Sequence, residues 1–235
     1  MSSAPNPNVA LPQGPLVTAL LLDAMGTLVR LRPPVPLLSA ALASAGYPNS
    51  DEVVMAALGS EISYYRRQHL RGGDATGLAE LRRDCADIFG DMLTDPPPPA
   101  VLEPLLVECL TFEVFDDAWV LLRACRQRGI ATAVVSDWDC SLAGHLVALG
   151  LADLIDAVVV SAEVGFAKPD VRIFQAALGR IGVGAECALH CGDDPGRDLD
   201  GAAAAGVRSV LIDRTDSYPG REFRVATLAE LLDLT

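Results

Sequence analysis

Lysine is almost absent from this chain of 235 residues: Lys168 stands alone, and arginine supplies every other fixed cation. Acidic residues are in excess, and the formal net charge is −13 at pH 7. That balance excludes a broad nucleic-acid footprint, which needs a basic patch to displace counterions. It leaves room for a small phosphorylated molecule held at a local cation. Long apolar runs are missing as well. Stretches such as Leu16–Leu22 and Ala157–Val160 fall far short of the ~20 residues a membrane-spanning helix needs. No basic segment precedes an apolar stretch near Met1, so no signal peptide is expected, and the expected setting is cytoplasmic. The six cysteines form no C-x-x-C pair. Cys187 and Cys191 do not match zinc spacing, and the six read as buried or free thiols.

Apolar residues, in contrast, make up 51% of the chain, enough to bury a substantial core in one large domain or in a core plus a smaller one. The stretch from Met1 to about Pro15, rich in Pro, Ser and Asn, is expected to fray. Val17–Leu22 reads as a buried strand. From Val35 to about Phe112 the pattern is helical only: Val35–Ala45, Asp51–Leu70, Thr76–Leu93 and Ala100–Thr111, with Pro96–Pro99 as a stiff connector. After Asp116 strands alternate with helices. The expected strands are Ile130–Val135, Ala157–Val160, Ala188–Cys191 and Val207–Ile212. The expected helices are Trp119–Arg128, Cys140–Leu149, Val171–Ile181, Asp198–Ala205 and Thr227–Leu234. This alternation implies an α/β fold, a doubly wound parallel sheet covered on both faces. The helical block interrupts it after the first strand. The expected division is a core of residues 1–33 and 114–235 and a helical cap of residues 34–113. No internal repeat is present.

In such a sheet, ligands bind beyond the carboxyl ends of the strands. Asp23 follows the first strand there. Ser136 and Asp137 follow Ile130–Val135. Lys168 lies beyond Ala157–Val160, and Gly192-Asp193-Asp194, with Asp198 a turn further on, follows Ala188–Cys191. Singly, each is an ordinary turn, cap or surface residue. In this order and spacing they form a coordinated site. Asp23, Asp193 and Asp198 make a hard oxygen set suited to Mg²⁺, with Asp194 undecided. Asp23 can attack phosphorus. Ser136 can hydrogen-bond a phosphoryl oxygen, and Lys168 can neutralise both Asp23 and the transferring group. The turn at Gly26-Thr27 is expected to offer free backbone N–H groups to the same oxygens.

The set D23-A-M-G-T, V135-S136, K168-P-D-x-x-I-F174 and G192-D-D-P-G-R-D198-x-x-G-A202 resembles the haloacid dehalogenase-like hydrolase superfamily over nearly the whole chain. The resemblance implies a Rossmann-like core, an all-helical cap inserted after the first strand, and in most members Mg²⁺-dependent phosphatase activity. It implies Asp23 as nucleophile, Ser136 and Lys168 as phosphate-binding and charge-balancing residues, and Asp193 and Asp198 as metal ligands. The cap would help choose a small phosphorylated substrate. The expected assembly is a monomer or homodimer, with no nucleic-acid or membrane partner.

Met25 departs from the pattern. Phosphatases of the superfamily carry a second Asp there, which protonates the leaving group and then activates water; a thioether does neither. General acid–base help contributes about 10²–10⁴ in rate. One reading is a phosphatase whose substrates have good leaving groups, or whose cap supplies another donor. For that donor the stretch S63-Y-Y-R-R-Q-H-L-R71 is the candidate, since Tyr65 and His69 share a helix face and His donates protons near neutral pH. Arg66, Arg67 and Arg71 on the same stretch would meet an anionic substrate. The plainer alternative is a solvated helix face with half-buried aromatics. A second reading is a 2-haloacid dehalogenase, whose relatives carry an aromatic residue here and need no leaving-group acid, but work without the metal this chain is equipped to hold. A phosphonatase would need a cap lysine that is absent. A fourth reading is a weak or inactive member that only binds. Asp137 and Trp138 could line any of these pockets, and Trp138 is expected to pack against the cap.

Overall fold

The computed structural model describes residues 14–235. The segment read as frayed falls, up to residue 13, outside the described residues. Strand β1 (Ala19–Leu22) is buried at every position, as a central parallel strand must be when both its faces are covered. Side chains alternate across it. Leu20 and Leu22 enter one apolar cluster, while Ala19 and Leu21 enter another on the opposite face.

Two features follow that the sequence reading did not anticipate. The chain forms a short strand β2 (Val29–Leu31) before the helical block, and later returns through β3 (Phe112–Val114) to pair with it antiparallel. Three residues per strand are too few for a period-two pattern to show. Between them stand α1 (Pro34–Ser44), α2 (Asp51–Gln68), α3 (Ala75–Gly90) and α4 (Pro99–Cys109). Ser50 and Asp74 cap α2 and α3 by accepting hydrogen bonds from Val53 N and Gly77 N, satisfying N–H groups that have no partner inside the helix. Pro99 is the first residue of α4, so the proline run is not wholly a connector: proline fits this position because its missing N–H would be unpaired there anyway. The four helices enclose their own cluster, including Leu38, Leu42, Val54, Phe89, Leu102 and Leu106.

After β3 the alternation runs α5 (Asp116–Arg128), β4 (Ala131–Ser136), α6 (Leu142–Ala148), β5 (Ala157–Val160), a single-turn α7 (Ser161–Val164), α8 (Val171–Ile181), β6 (Ala188–Gly192), a wide π-type turn over Pro195–Asp200, α9 (Gly201–Ala204), β7 (Arg208–Ile212) and β8 (Arg224–Val225). The helix expected over Thr227–Leu234 is a 3₁₀ segment, Leu228–Asp233. The sheet order is β5-β4-β1-β6-β7-β8, with every pairing parallel. The strand order reverses at β1, flanked by β4 and β6, so the crevice of a doubly wound sheet opens there. No helix among the described residues is long and apolar enough to cross a membrane.

The cap meets the core near the end of α2. The phenol of Tyr65 donates to Asp139 Oδ2 at 2.9 Å and accepts from the Asp139 N–H at 3.3 Å. The N–H of Cys140 donates to the Gly72 carbonyl at 2.9 Å. A side chain at Gly72 would press on Asp139 at 2.7 Å, so glycine permits this close approach.

Candidate active site

Asp23 leaves β1 with its N–H donated to the Cys191 carbonyl of β6 at 2.9 Å, which sets its carboxylate at the carboxyl edge of the sheet. Ser136, the last residue of β4, donates from Oγ to Asp23 Oδ1 at 3.2 Å. The Lys168 ammonium donates to Asp23 Oδ1 and to Asp198 Oδ1, each at 2.6 Å. All four side chains are buried. Asp137 is on the wall of the same cleft as these four. Its Oδ1 accepts the backbone N–H of Lys168 at 2.8 Å, so it fixes the loop that delivers the lysine.

Asp23, Asp193 and Asp198 bring carboxylate oxygens within 4.8 Å of one another. Three carboxylates facing one ammonium leave negative charge uncompensated, and hard oxygen donors in that number suit a hard dication. The set therefore fits Mg²⁺. Asp194 stands apart from it: its Oδ1 accepts the N–H groups of Gly196 and Arg197, and its Oδ2 accepts from Arg197 Nε, all at 2.9 Å. It shapes the turn that brings Asp198 round, and its own N–H donates to Asp198 Oδ2 at 2.9 Å.

Glycine is required at two points of this cluster. A Cβ at Gly26, whose φ is +80°, would collide with Asp193, and one at Gly192 would collide with Asp198. The electrostatics follow from burial. Burial pushes the Asp23 carboxyl up to about 6, with Asp198 and Asp193 adding to the rise and Lys168 opposing it. Burial also raises Asp193, helped by the charge of Asp198. For Lys168 burial works against the ammonium, but Asp23 and Asp198 outweigh it and hold the pKa above its ordinary value. For Asp198 burial is likewise outweighed, by Lys168 and by His190, whose Nε2 lies 3.1 Å from Oδ1.

These groups form the floor of a cleft of about 440 Å³. Met25 is on its wall, as are Trp138, Phe112, Leu81 and Leu106. Trp138 packs edge-on to Phe112 of β3, ring centroids 5.0 Å apart, so it meets the ribbon that leads into the cap.

Three expected site features need correction. The amides of the Gly26-Thr27 turn are not free: Gly26 N–H donates to the Val29 carbonyl at 2.8 Å and Thr27 N–H to that of Ala24 at 3.3 Å. The carbonyls of both residues accept instead from Arg214, and the Thr27 hydroxyl is buried with no hydrogen-bond partner among the described residues. His69 does not face the cleft. Its ring is buried between the Arg66 carbonyl, 3.0 Å from Nδ1, and Ser161 Oγ, 2.9 Å from Nε2, because the chain tightens into a 3₁₀ turn at that point and rotates the side chain toward the core. Arg67 is exposed and absent from the cleft wall, whereas its neighbour Arg66 is on it.

Sequence reasoning missed Glu61, Arg82 and His145, all on the cleft wall. Glu61 was within reach: it precedes Tyr65 by four residues and so shares its helix face. Arg82 and His145 carried no such signal, because their placement depends on how α3 and α6 are packed. Burial pushes Glu61 up and His145 down from their ordinary values.

A family model described as "Hydrolase: haloacid dehalogenase-like hydrolase" matches residues 17–206. Among curated proteins, the haloacid dehalogenase-like hydrolase domain-containing protein 3 of Mus musculus is 42% identical over 102 residues, covering 43% of this chain and 41% of that protein. The phosphoserine phosphatase of Thermus thermophilus is 38% identical over 125 residues, covering 51% and 50%. The match thus spans half the length of these relatives or less. Among solved structures, the L-2-haloacid dehalogenase of Xanthobacter autotrophicus superposes with a TM-score of 0.68 at 21% identity over 93% of this chain and 98% of that one. The HAD phosphatase of Thermococcus onnurineus superposes with 0.64 at 20% identity over 92% and 97%. At such identities these likenesses concern the fold alone. The family match spans Asp23, Ser136, Lys168, Asp193 and Asp198, and with it the chain belongs to the haloacid dehalogenase-like hydrolases.

Proposed function

We propose that the protein is a Mg²⁺-dependent phosphatase of small phosphorylated molecules, working through an aspartyl-phosphate on Asp23, with the helical block 34–113 as the cap that selects the substrate. The observation that carries this reading is the lysine bridge: Lys168 Nζ sits 2.6 Å from both Asp23 Oδ1 and Asp198 Oδ1. A buried ammonium between a nucleophile and a metal-binding carboxylate is placed to receive the charge of a transferring phosphoryl group.

In this mechanism Lys168 and Ser136 hold Asp23 Oδ1, orienting the carboxylate for attack. An oxygen of Asp23 forms a bond to phosphorus as the bond to the leaving-group oxygen breaks. Water then attacks the acyl-phosphate, releasing inorganic phosphate and restoring Asp23. Lys168 stays protonated throughout and balances the charge gathered on the phosphoryl oxygens. Mg²⁺, held by Asp23, Asp193 and Asp198, would supply further neutralisation of those oxygens. Met25 has no proton to give, so leaving groups that depart as stable anions are favoured: aryl phosphates, acyl phosphates and anhydrides.

The test is release of phosphate and of halide measured in parallel, with and without Mg²⁺. p-Nitrophenyl phosphate, acetyl phosphate and 2-chloropropionate are the substrates, and Asp23→Asn is the control. Phosphate release that needs both Mg²⁺ and Asp23 is expected. Halide release without metal would replace this reading with a dehalogenase. Phosphate release that survives both chelation and Asp23→Asn would remove Asp23 and the metal from the chemistry.

A further inference from the structure

Glu61 lies on the wall of the cleft yet is only 5% exposed. The one group that eases its charge is the Cys85 thiol, a weak donor. No arginine or lysine is within ion-pair distance of it among the described residues. A carboxyl so poorly partnered in apolar surroundings costs stability, and its neighbours on the wall, Ile62, Leu78 and Leu81, cannot relieve it.

Its position along α2 matters. The end of that helix rests on the core, through Tyr65 on Asp139 and through His69 on Ser161. Glu61 is one turn further back on the same face, about 6 Å higher into the cap. It is therefore placed to meet the remote end of a substrate whose anionic end is at Lys168 and Asp23. The wall of the cleft is mainly apolar, with Met25, Leu81, Leu106, Phe112 and Trp138, and it also carries Arg66 and Arg82.

We propose that Glu61 is a specificity-determining residue, and that the substrate is a phosphate ester with an apolar body ending in an ammonium group, which Glu61 pairs. The proposal rests on the phosphatase reading for its anionic end. A bound ammonium supplies the counter-charge the buried carboxyl lacks, and a desolvated pair of this kind discriminates strongly against an uncharged analogue.

Calorimetric binding to the wild-type protein with Mg²⁺ tests this without turnover. The probes are 4-(2-aminoethyl)benzylphosphonate and its size-matched 4-propyl analogue, neither of which the proposed reaction cleaves. The amine is expected to bind about thirtyfold or more tighter. In Glu61→Gln, which keeps the shape of the site, the ratio should fall close to one, with the propyl analogue within about threefold of its wild-type affinity. Equal affinities in the wild type, a preference that survives in Glu61→Gln, or no binding of either probe would each overturn the proposal. The phosphatase reading is decided separately, by phosphate release from p-nitrophenyl phosphate.

Discussion

Lys168, the one lysine of the chain, bridges Asp23 and Asp198 at 2.6 Å each, in a pocket where its side chain is 4% exposed. Lys168→Met leaves two buried carboxylates without their counter-charge. Breaking a buried ion pair by removing one partner costs about 3–5 kcal/mol, and losing a charge placed on the transferring group costs about 10²–10³ in rate. Denaturant titration and phosphate release at saturating Mg²⁺ should both register the change. A variant with unaltered kcat would take the lysine out of the mechanism.

Gly26 should matter through Asp193. In Gly26→Ala the new Cβ must displace the Asp193 carboxylate, and a φ of +80° costs an L-residue about 1–3 kcal/mol. The Mg²⁺ concentration for half-maximal activity should rise about 10–100-fold. Gly46 has a similarly positive φ of +92° but no atom of the described residues within 4 Å of its Cβ position, so Gly46→Ala should lower stability without moving the Mg²⁺ dependence. A shift common to both variants would point to backbone strain rather than to Asp193.

Met25→Asp restores an acid to the wall of the cleft. Turnover of alkyl phosphates should rise by up to about 10²–10⁴, the range for general acid–base help. Aryl phosphates, whose leaving groups need less assistance, should gain less. Steady-state kinetics on a matched alkyl and aryl pair distinguishes this from a packing effect, which would raise or lower both equally.

Glu61 makes stability depend on pH in a predictable direction. Burial raises its pKa in the folded state above the ordinary 4.5, so between those two values the folded chain binds more protons than the unfolded one. Its contribution to stability is most favourable below pH 4.5 and is lost as pH rises through the folded pKa. Glu61→Gln should therefore raise Tm at pH 8 and have little effect at pH 4. Thermal unfolding at the two pH values checks this; an equal gain at both would mean that the charge is not the cause.

The alternation of strands and helices after Asp116 was legible because parallel strands buried on both faces are short, β-branched and apolar, and because Gly129, Gly150 and Gly206 end helices with positive φ. The floor of the site was legible for a related reason. In a doubly wound sheet the residue after each strand is brought to one edge, so Asp23, Ser136 and Asp193 converge whatever else the chain does. The β2–β3 ribbon was not legible, since its pairing joins residues 29–31 to residues 112–114 across the whole helical block.

Local sequence, then, determined the sheet, its order of motifs and the charged groups at its edge, because these depend on periodicity and on chain position alone. Only tertiary packing decided what faces the substrate. Helical spacing put Glu61, Tyr65 and His69 near one line, but the 3₁₀ turn at His69–Gly72 and the contacts at Ser161 and Asp139 turned the histidine inward and left the glutamate on the cleft wall. A side chain's partner is set by the element packed against it, and that element is distant in sequence.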